Sequence, residues 1–159
     1  LVEITLLTAS EVRRFNIEPR IAFVSFSNFG SYHGPGCPAE VREAVAILHR
    51  DYPDLVVDGD MQANFAINNE MLNEHFPFSK LVGAAANTLI FPYLTAGNIA
   101  YKLIQELAGA EAIGPILMGL DKSIHVLQMG SSVNEIVNMT AIAVIDAQKN
   151  EIRNQQENK

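Results

Sequence analysis

The sequence is short of positive charge, of cysteine and of long apolar runs, and each shortage excludes something. Lys and Arg number 11 against 18 Asp and Glu, a formal charge of −7 over 159 residues. A surface of that sign repels phosphate backbones and anionic lipid, so neither nucleic acid nor a membrane surface is an expected partner. One cysteine, Cys37, cannot staple the chain internally, and it points to a reducing cytoplasm. Apolar runs such as residues 84–92 fall far short of the roughly 20 residues that a bilayer span needs. The phosphate loop Gly-x-x-x-x-Gly-Lys-Ser/Thr and the three-glycine dinucleotide fingerprint are both missing, so neither ATP nor NAD is indicated. His33, His49, His75 and His125 lack metal-ligand spacing, which argues against zinc.

What is present is the composition of a folded domain, with 48% apolar and 18% charged residues. The chain opens at Leu1, already in a helical pattern, and this suggests a piece cut from a longer polypeptide. Apolar spacing predicts helices over 1–15, 38–50, 61–74, 97–107 and 133–151. In the second of these, Val41, Ala44, Val45 and Leu48 share one face. Short apolar runs at 21–26, 55–57, 85–91, 113–118 and 124–127 predict buried strands, with a turn at 119–122 and a polar tail at 149–159. Strands alternating with helices imply a three-layer α/β/α fold with a mostly parallel sheet. Residues 1–115 are expected to form an α/β lobe, and 116–159 its closing strands and long helix.

Ligands of such sheets sit beyond the carboxyl ends of the strands. That rule selects the loops 27–38, 58–61, 92–98 and 130–134. In the first, SFSNFGS at 25–31 can offer Ser27, Asn28, Gly30 and Ser31 to a phosphate or carboxylate, or form a turn that caps the next helix. In the second, Asp58 and Asp60, with Glu70 and Glu74, can bind Mg²⁺ or do acid–base work. Capping of a helix by Asp60 is the favoured alternative. In the third, Thr95 is placed to cap a helix whose first N–H groups, at Ala96, Gly97 and Asn98, would face an anion such as a pyrophosphate. A helix start with a small residue for close packing on a strand is the other reading.

Taken together, DLVVDGDMQ at 54–62, FPFSKLVGAAANTLIFPYLTAGNIAYKL at 76–103 and IGPILMGL at 113–120 resemble the C-terminal half of the phosphate acetyl/butyryl transferases, or phosphotransacetylases. SFSNFGS, VLQMGSS at 126–132 and NEIVNMTAIAVIDAQ at 134–148 resemble most specifically the phosphotransacetylase-like domain that ends bacterial multidomain NADP-dependent malic enzymes. The resemblance implies the isocitrate/isopropylmalate dehydrogenase-like α/β/α fold, a dimer-forming core and a coenzyme A or acetyl-CoA ligand. With that ligand implied, Ser27, Asn28, Gly30, Ser31, Thr95, Gly97, Asn98, Lys102, Gly130 and Ser131 become its candidate contacts. NADP and a divalent metal would belong to an N-terminal part outside this chain.

Active members of the family carry a DLSRG-type motif after the last strand, whose Ser, Arg and following acid serve acyl transfer between coenzyme A and phosphate. Here Gln128 replaces the Ser and Met129 the Arg, while Glu135 keeps the acid. A guanidinium supplies charge and a planar donor fork to anionic reactants, and a thioether supplies neither. Lys122 precedes the loop but is a poor stand-in. The implied function is therefore a regulatory domain that senses acetyl-CoA without turning it over; an acyltransferase with altered residues is the alternative, and a purely structural dimerisation module the third. The helix from 133 carries Ile136, Val137, Thr140, Ala141, Val144 and Ile145, an apolar face too broad for a free helix, and self-association is expected to cover it.

Overall fold

A computed structural model describes residues 1–120 and 122–157. The chain divides into two compact units, Leu1–Ala100 and Tyr101–Lys159.

The first unit is built on a three-stranded parallel sheet of β1 (Arg20–Val24), β2 (Val56–Met61) and β3 (Thr88–Ile90), in the order β2-β1-β3. Ile21 stands opposite Val57 on one side and Thr88 on the other, and Phe23 opposite Ile90. Side chains alternate across a strand, so the apolar run of β1 feeds two cores. Ile21, Phe23, Val57 and Ile90 pack with Ala9 of α1 (Val2–Arg14) and Val41, Val45 and Leu48 of α2 (Cys37–Asp51). Ala22, Val24 and Met61 pack on the other face with Phe65 and Ala66 of α3 (Ala63–Ile67) and Leu72 of α4 (Asn69–His75). The expected three-layer α/β/α arrangement with helices on both faces is what the first unit shows.

Polar ties hold the layers in register. The half-buried His49 bonds through Nε2 to the Val57 carbonyl at 2.7 Å. The Arg20 guanidinium donates to the carbonyls of Leu81 (2.8 Å), Ala84 and Ala85 (3.3 Å). Asn87 binds the Arg20 amide through Oδ1 at 2.8 Å and the Glu18 carbonyl through Nδ2 at 2.9 Å. With 81–86 bound in this way, the strand expected over 85–91 is confined to Thr88–Ile90.

Three further expectations are corrected. The helix expected over 61–74 is two short helices, because β2 runs through Met61 and Asn68 adopts an extended conformation between α3 and α4. The helix expected from 97 begins at Leu94, as α5 (Leu94–Ala108). Among the described residues, 113–118 and 124–127 form no strand. An apolar run becomes a strand only against a partner, and the second unit offers no sheet edge. Besides the end of α5, its regular element is α6 (Val133–Glu157), whose Met139, Ile142 and Asp146 are buried. No helix among the described residues is long and apolar enough to cross a membrane.

Candidate functional site

The loop after β1 is a closed hydrogen-bonded unit. Six consecutive amides donate within the protein: Ser27 to Ser25 Oγ (3.3 Å), Asn28 to Ser31 Oγ (3.0 Å), Phe29 to the Asp60 carbonyl (2.6 Å), Gly30 to Asp60 Oδ1 (3.1 Å), Ser31 to the Asn28 carbonyl (2.9 Å) and Tyr32 to Ser27 Oγ (3.2 Å). Asn28 Oδ1 accepts from the Gln62 amide at 2.7 Å. Of the two readings of this loop, the turn has the geometry, since none of these N–H groups points outward to an anion. It leads into α2 without capping it: the N-cap of that helix is Gly36, and no side chain bonds its first turn.

Asp60 is the centre of the arrangement, and it does not cap a helix. It lies in β2, fully buried, with Oδ1 3.5 Å from Arg42 Nη1 and Oδ2 accepting no hydrogen bond. A helix cap falls instead to Asn68, whose side chain accepts from the Met71 amide at 3.1 Å. Asp58 is committed too, taking the Ser79 hydroxyl (2.8 Å) and the Lys80 amide (2.9 Å) on Oδ2. Between the two aspartates Gly59 has φ 147°, and a Cβ there would come within 2.8 Å of the Phe23 carbonyl oxygen. The DGD spacing is thus a packing requirement. Among the described residues no group of three His, Cys, Asp or Glu side chains converges as a metal would need.

Thr95 is also not a cap, because α5 begins before it at Leu94. The Gly97 amide, expected open, donates to the Tyr93 carbonyl at 3.3 Å. A Cβ on Gly97 would meet Phe91 Cβ at 3.3 Å, so the small residue serves close packing on the strand end, as the second reading of this loop had it. Asn98 is exposed.

The second unit brings more of the named residues together. A polar niche of about 50 Å³ is lined by Lys102 and Gln105 of α5, Pro115, Gln128, Ser131 and Glu135, with Tyr101 at its side. Met129 takes no part in the lining and stands fully in solvent, at 103% relative exposure. The Lys102 ammonium lies 4.7 Å from the Tyr101 ring centre. Its pKa is raised by its hydrogen bond with Tyr101 first, and further by the charges of Glu106 and Glu135.

Glu135 has a role that sequence reasoning missed. Its carboxylate accepts from the Ser132 amide at 2.6 Å while its own amide donates to Ser132 Oγ at 3.2 Å. That reciprocal pair is a capping box, and the signal for it was legible as Ser-x-x-Glu before an apolar helix. Hydrogen bonds to the carboxylate from the Ser132 amide and hydroxyl, with the charge of Lys102 behind them, hold the Glu135 carboxyl below the usual carboxylate range. Lys102 was expected as a ligand contact, but its place beside Gln128 and Glu135 was not foreseen. It puts a cation where the sequence offered only Lys122.

Residues 1–144 match the family model of phosphate acetyl/butaryl transferase. An NADP-dependent malic enzyme of Haemophilus influenzae is 45% identical over 149 residues, 94% of this chain and 19% of that protein. A phosphate acetyltransferase of Clostridium acetobutylicum is 43% identical over 150 residues, covering 94% of this chain and 44% of that one. The crystal structure of a phosphotransacetylase from Streptococcus pyogenes superposes with a TM-score of 0.85 at 40% identity, over 93% of this chain and 44% of the other. The chain therefore spans under half the length of these phosphotransacetylases and about a fifth of the malic enzyme. With its parallel sheet flanked by helices and this match over nearly its whole length, the chain belongs to the phosphate acetyl/butaryl transferase family.

Proposed function

We propose that this chain binds coenzyme A or acetyl-CoA as a regulatory and oligomerising domain of a cytoplasmic NADP-dependent malic enzyme, and that it does not itself turn acyl groups over. The observation that carries the reading is the niche of the second unit. Position 129 presents a thioether to solvent, and the Lys102 ammonium that lines the niche is answered by the Glu135 carboxylate. Acyl transfer between a thioester and phosphate develops negative charge on oxygen and sulfur. A lysine offset by a carboxylate stabilises that charge little, and an exposed methionine not at all.

Lys102, Gly130 and Ser131 in the second unit are the proposed ligand contacts there. In the first unit they are Asn28, Gly30, Ser31, Thr95, Gly97 and Asn98, with Ser27 buried beneath them and bonded to the Tyr32 amide. NADP and a divalent metal fall to the remainder of the malic enzyme polypeptide. Acetyl-CoA shifts that enzyme between states only by binding one of them more tightly. Self-association is supported by the apolar surface of α5 and α6, where Leu94, Leu107, Val133 and Val137 are all exposed. Light scattering at micromolar concentration is expected to give a dimer or larger, and a strict monomer would count against this part.

An active acyltransferase is the second reading, and the place of Lys102 beside Gln128 favours it. Thiol release from acetyl-CoA and phosphate, assayed on the complete polypeptide, separates the two. The proposal expects no turnover above the blank, and a rate that rises by about 10²–10³-fold when Met129→Arg restores a guanidinium. Turnover by the unaltered protein, abolished by Lys102→Ala, would establish the second reading. Indifference of malate oxidation to acetyl-CoA would remove the regulatory role.

A further inference from the structure

The first unit holds a cavity that none of the candidate contacts lines. It measures about 300 Å³ and opens at the carboxyl ends of β1 and β3, between Phe26, Ala63, Phe91, Pro92, Tyr93 and Ala96. In a parallel sheet of order 2-1-3, the connections diverge between β1 and β3, and the crevice at that switch point is where such sheets take ligands. Its volume stands at about the lower end of the range for small-molecule pockets, which suits one ring system rather than a whole cofactor.

We infer that this cavity binds a planar, uncharged heteroaromatic ring, a purine base first among them. Three aromatic side chains on one small opening is a stacking arrangement, and two of them are held out to solvent: Phe26 is 64% and Tyr93 53% exposed. The Phe26 ring is braced edge-on by Tyr32 at 5.2 Å, so its orientation is set before a ligand arrives. Ala63 and Ala96 complete the lining with short side chains, which leaves room beside the rings.

The polar groups at the rim select against charge. Ser25, Cys37 and Tyr93 supply hydroxyl and thiol, with no cation among the lining residues. The Tyr93 phenol is pushed up by Glu40, then by burial and the Cys37 thiol, and the Cys37 thiol by burial and then Glu40 and Asp60. Both therefore remain protonated donors at neutral pH, in a field set by acids. Ring nitrogens can accept from such donors, whereas no cation lines the cavity to neutralise a phosphate or a thiolate.

The inference goes beyond the acyl-CoA reading and does not depend on it, although coenzyme A carries a ring of this kind. Calorimetric or NMR titration of the 159-residue chain with adenosine, pantetheine and acetyl-CoA tests it. Adenosine is expected to bind, to weaken by about tenfold in Phe26→Ala and to be lost in Ala96→Phe, which takes up the room beside the rings. Phe26 is largely exposed, so an unchanged melting temperature is expected to certify that variant as folded. Failure of adenosine to bind, or binding indifferent to both substitutions, overturns the inference even where acetyl-CoA still binds. Pantetheine displaced by Ala96→Phe while adenosine is not overturns it in favour of an aliphatic ligand. Adenosine bound as expected with acetyl-CoA excluded sustains this site and sinks the acyl-CoA reading instead.

Discussion

The two units are opposites in how they use their apolar residues. In the first, β1 is shared between two cores, and Ile21, Ala22, Phe23, Leu48, Val57 and Leu72 are wholly or almost wholly buried. In the second, the buried apolar side chains among the described residues are Met139 and Ile142, and α5, whose residues the two units share, buries none along its length. Yet α5 and α6 are not polar helices: Ile99, Leu103, Ile104 and Leu107 on one, and Val133, Ile136, Val137, Val144 and Ile145 on the other, all face solvent. A helix apolar on a face it does not bury is made for a partner surface. The first unit thus buries its strand residues between two helical layers, whereas most of the apolar surface of α5 and α6 stays open. The chain spans under half the length of the phosphotransacetylases it matches.

That contrast makes the largest effects fall in the first unit. Gly59→Ala forces a Cβ to within 2.8 Å of the Phe23 carbonyl oxygen at φ 147°, a region open to glycine alone. It is expected to cost about 4 kcal/mol, read by urea denaturation with far-UV circular dichroism. Leu48→Ala empties a site with no exposure at the centre of the α2 packing and should cost about 3 kcal/mol. In the second unit Leu107→Ser should change the stability of the dissociated chain by about 0.5 kcal/mol or less, since that side chain is 83% exposed within one chain, and should instead weaken self-association. A large loss at Leu107 in the dissociated chain would mean that this face is covered within the chain itself and would redraw the comparison.

The difference between the units also explains what could be read in advance. The helix over α2, the strand positions in β1 and the two-faced sheet followed from periodicity, because in the first unit burial and pattern agree. The strands expected at 113–118 and 124–127 came from the same reasoning and did not form: the runs are apolar, but no edge pairs them. Asp60 was read as a cap from its place after a strand, when β2 in fact continues through it and its carboxylate serves Gly30 and Arg42, 30 and 18 positions back in the chain. Bonds of that span leave no local trace. Thr95 failed by a small margin, with α5 beginning at Leu94, one residue ahead of it. The niche is the middle case. Gln128 and Glu135 were named from the family motif, Lys102 from its own segment, and only the fold joins them.

The smallest effects expected are at the start of α6, and they sharpen the comparison because they touch the second unit alone. Ser132→Ala removes the hydroxyl that accepts from the Glu135 amide and should cost about 1 kcal/mol of helix stability, seen as faster amide exchange in the first turn of α6. Acid should act on the same device through Glu135. Its carboxyl is held below the ordinary range by the bonds from Ser132 and the charge of Lys102, so the folded state favours the ionised form. A depressed pKa contributes stability that is present above the unfolded value and lost as pH falls through the folded one. Exchange protection in that turn should therefore be constant at neutral pH and decline below about pH 4. In Glu135→Gln it should be weaker at neutral pH and flat through the same range. A decline that persists in Glu135→Gln would place the acid sensitivity in another carboxylate, and with it the claim that this capping box orders the helix start.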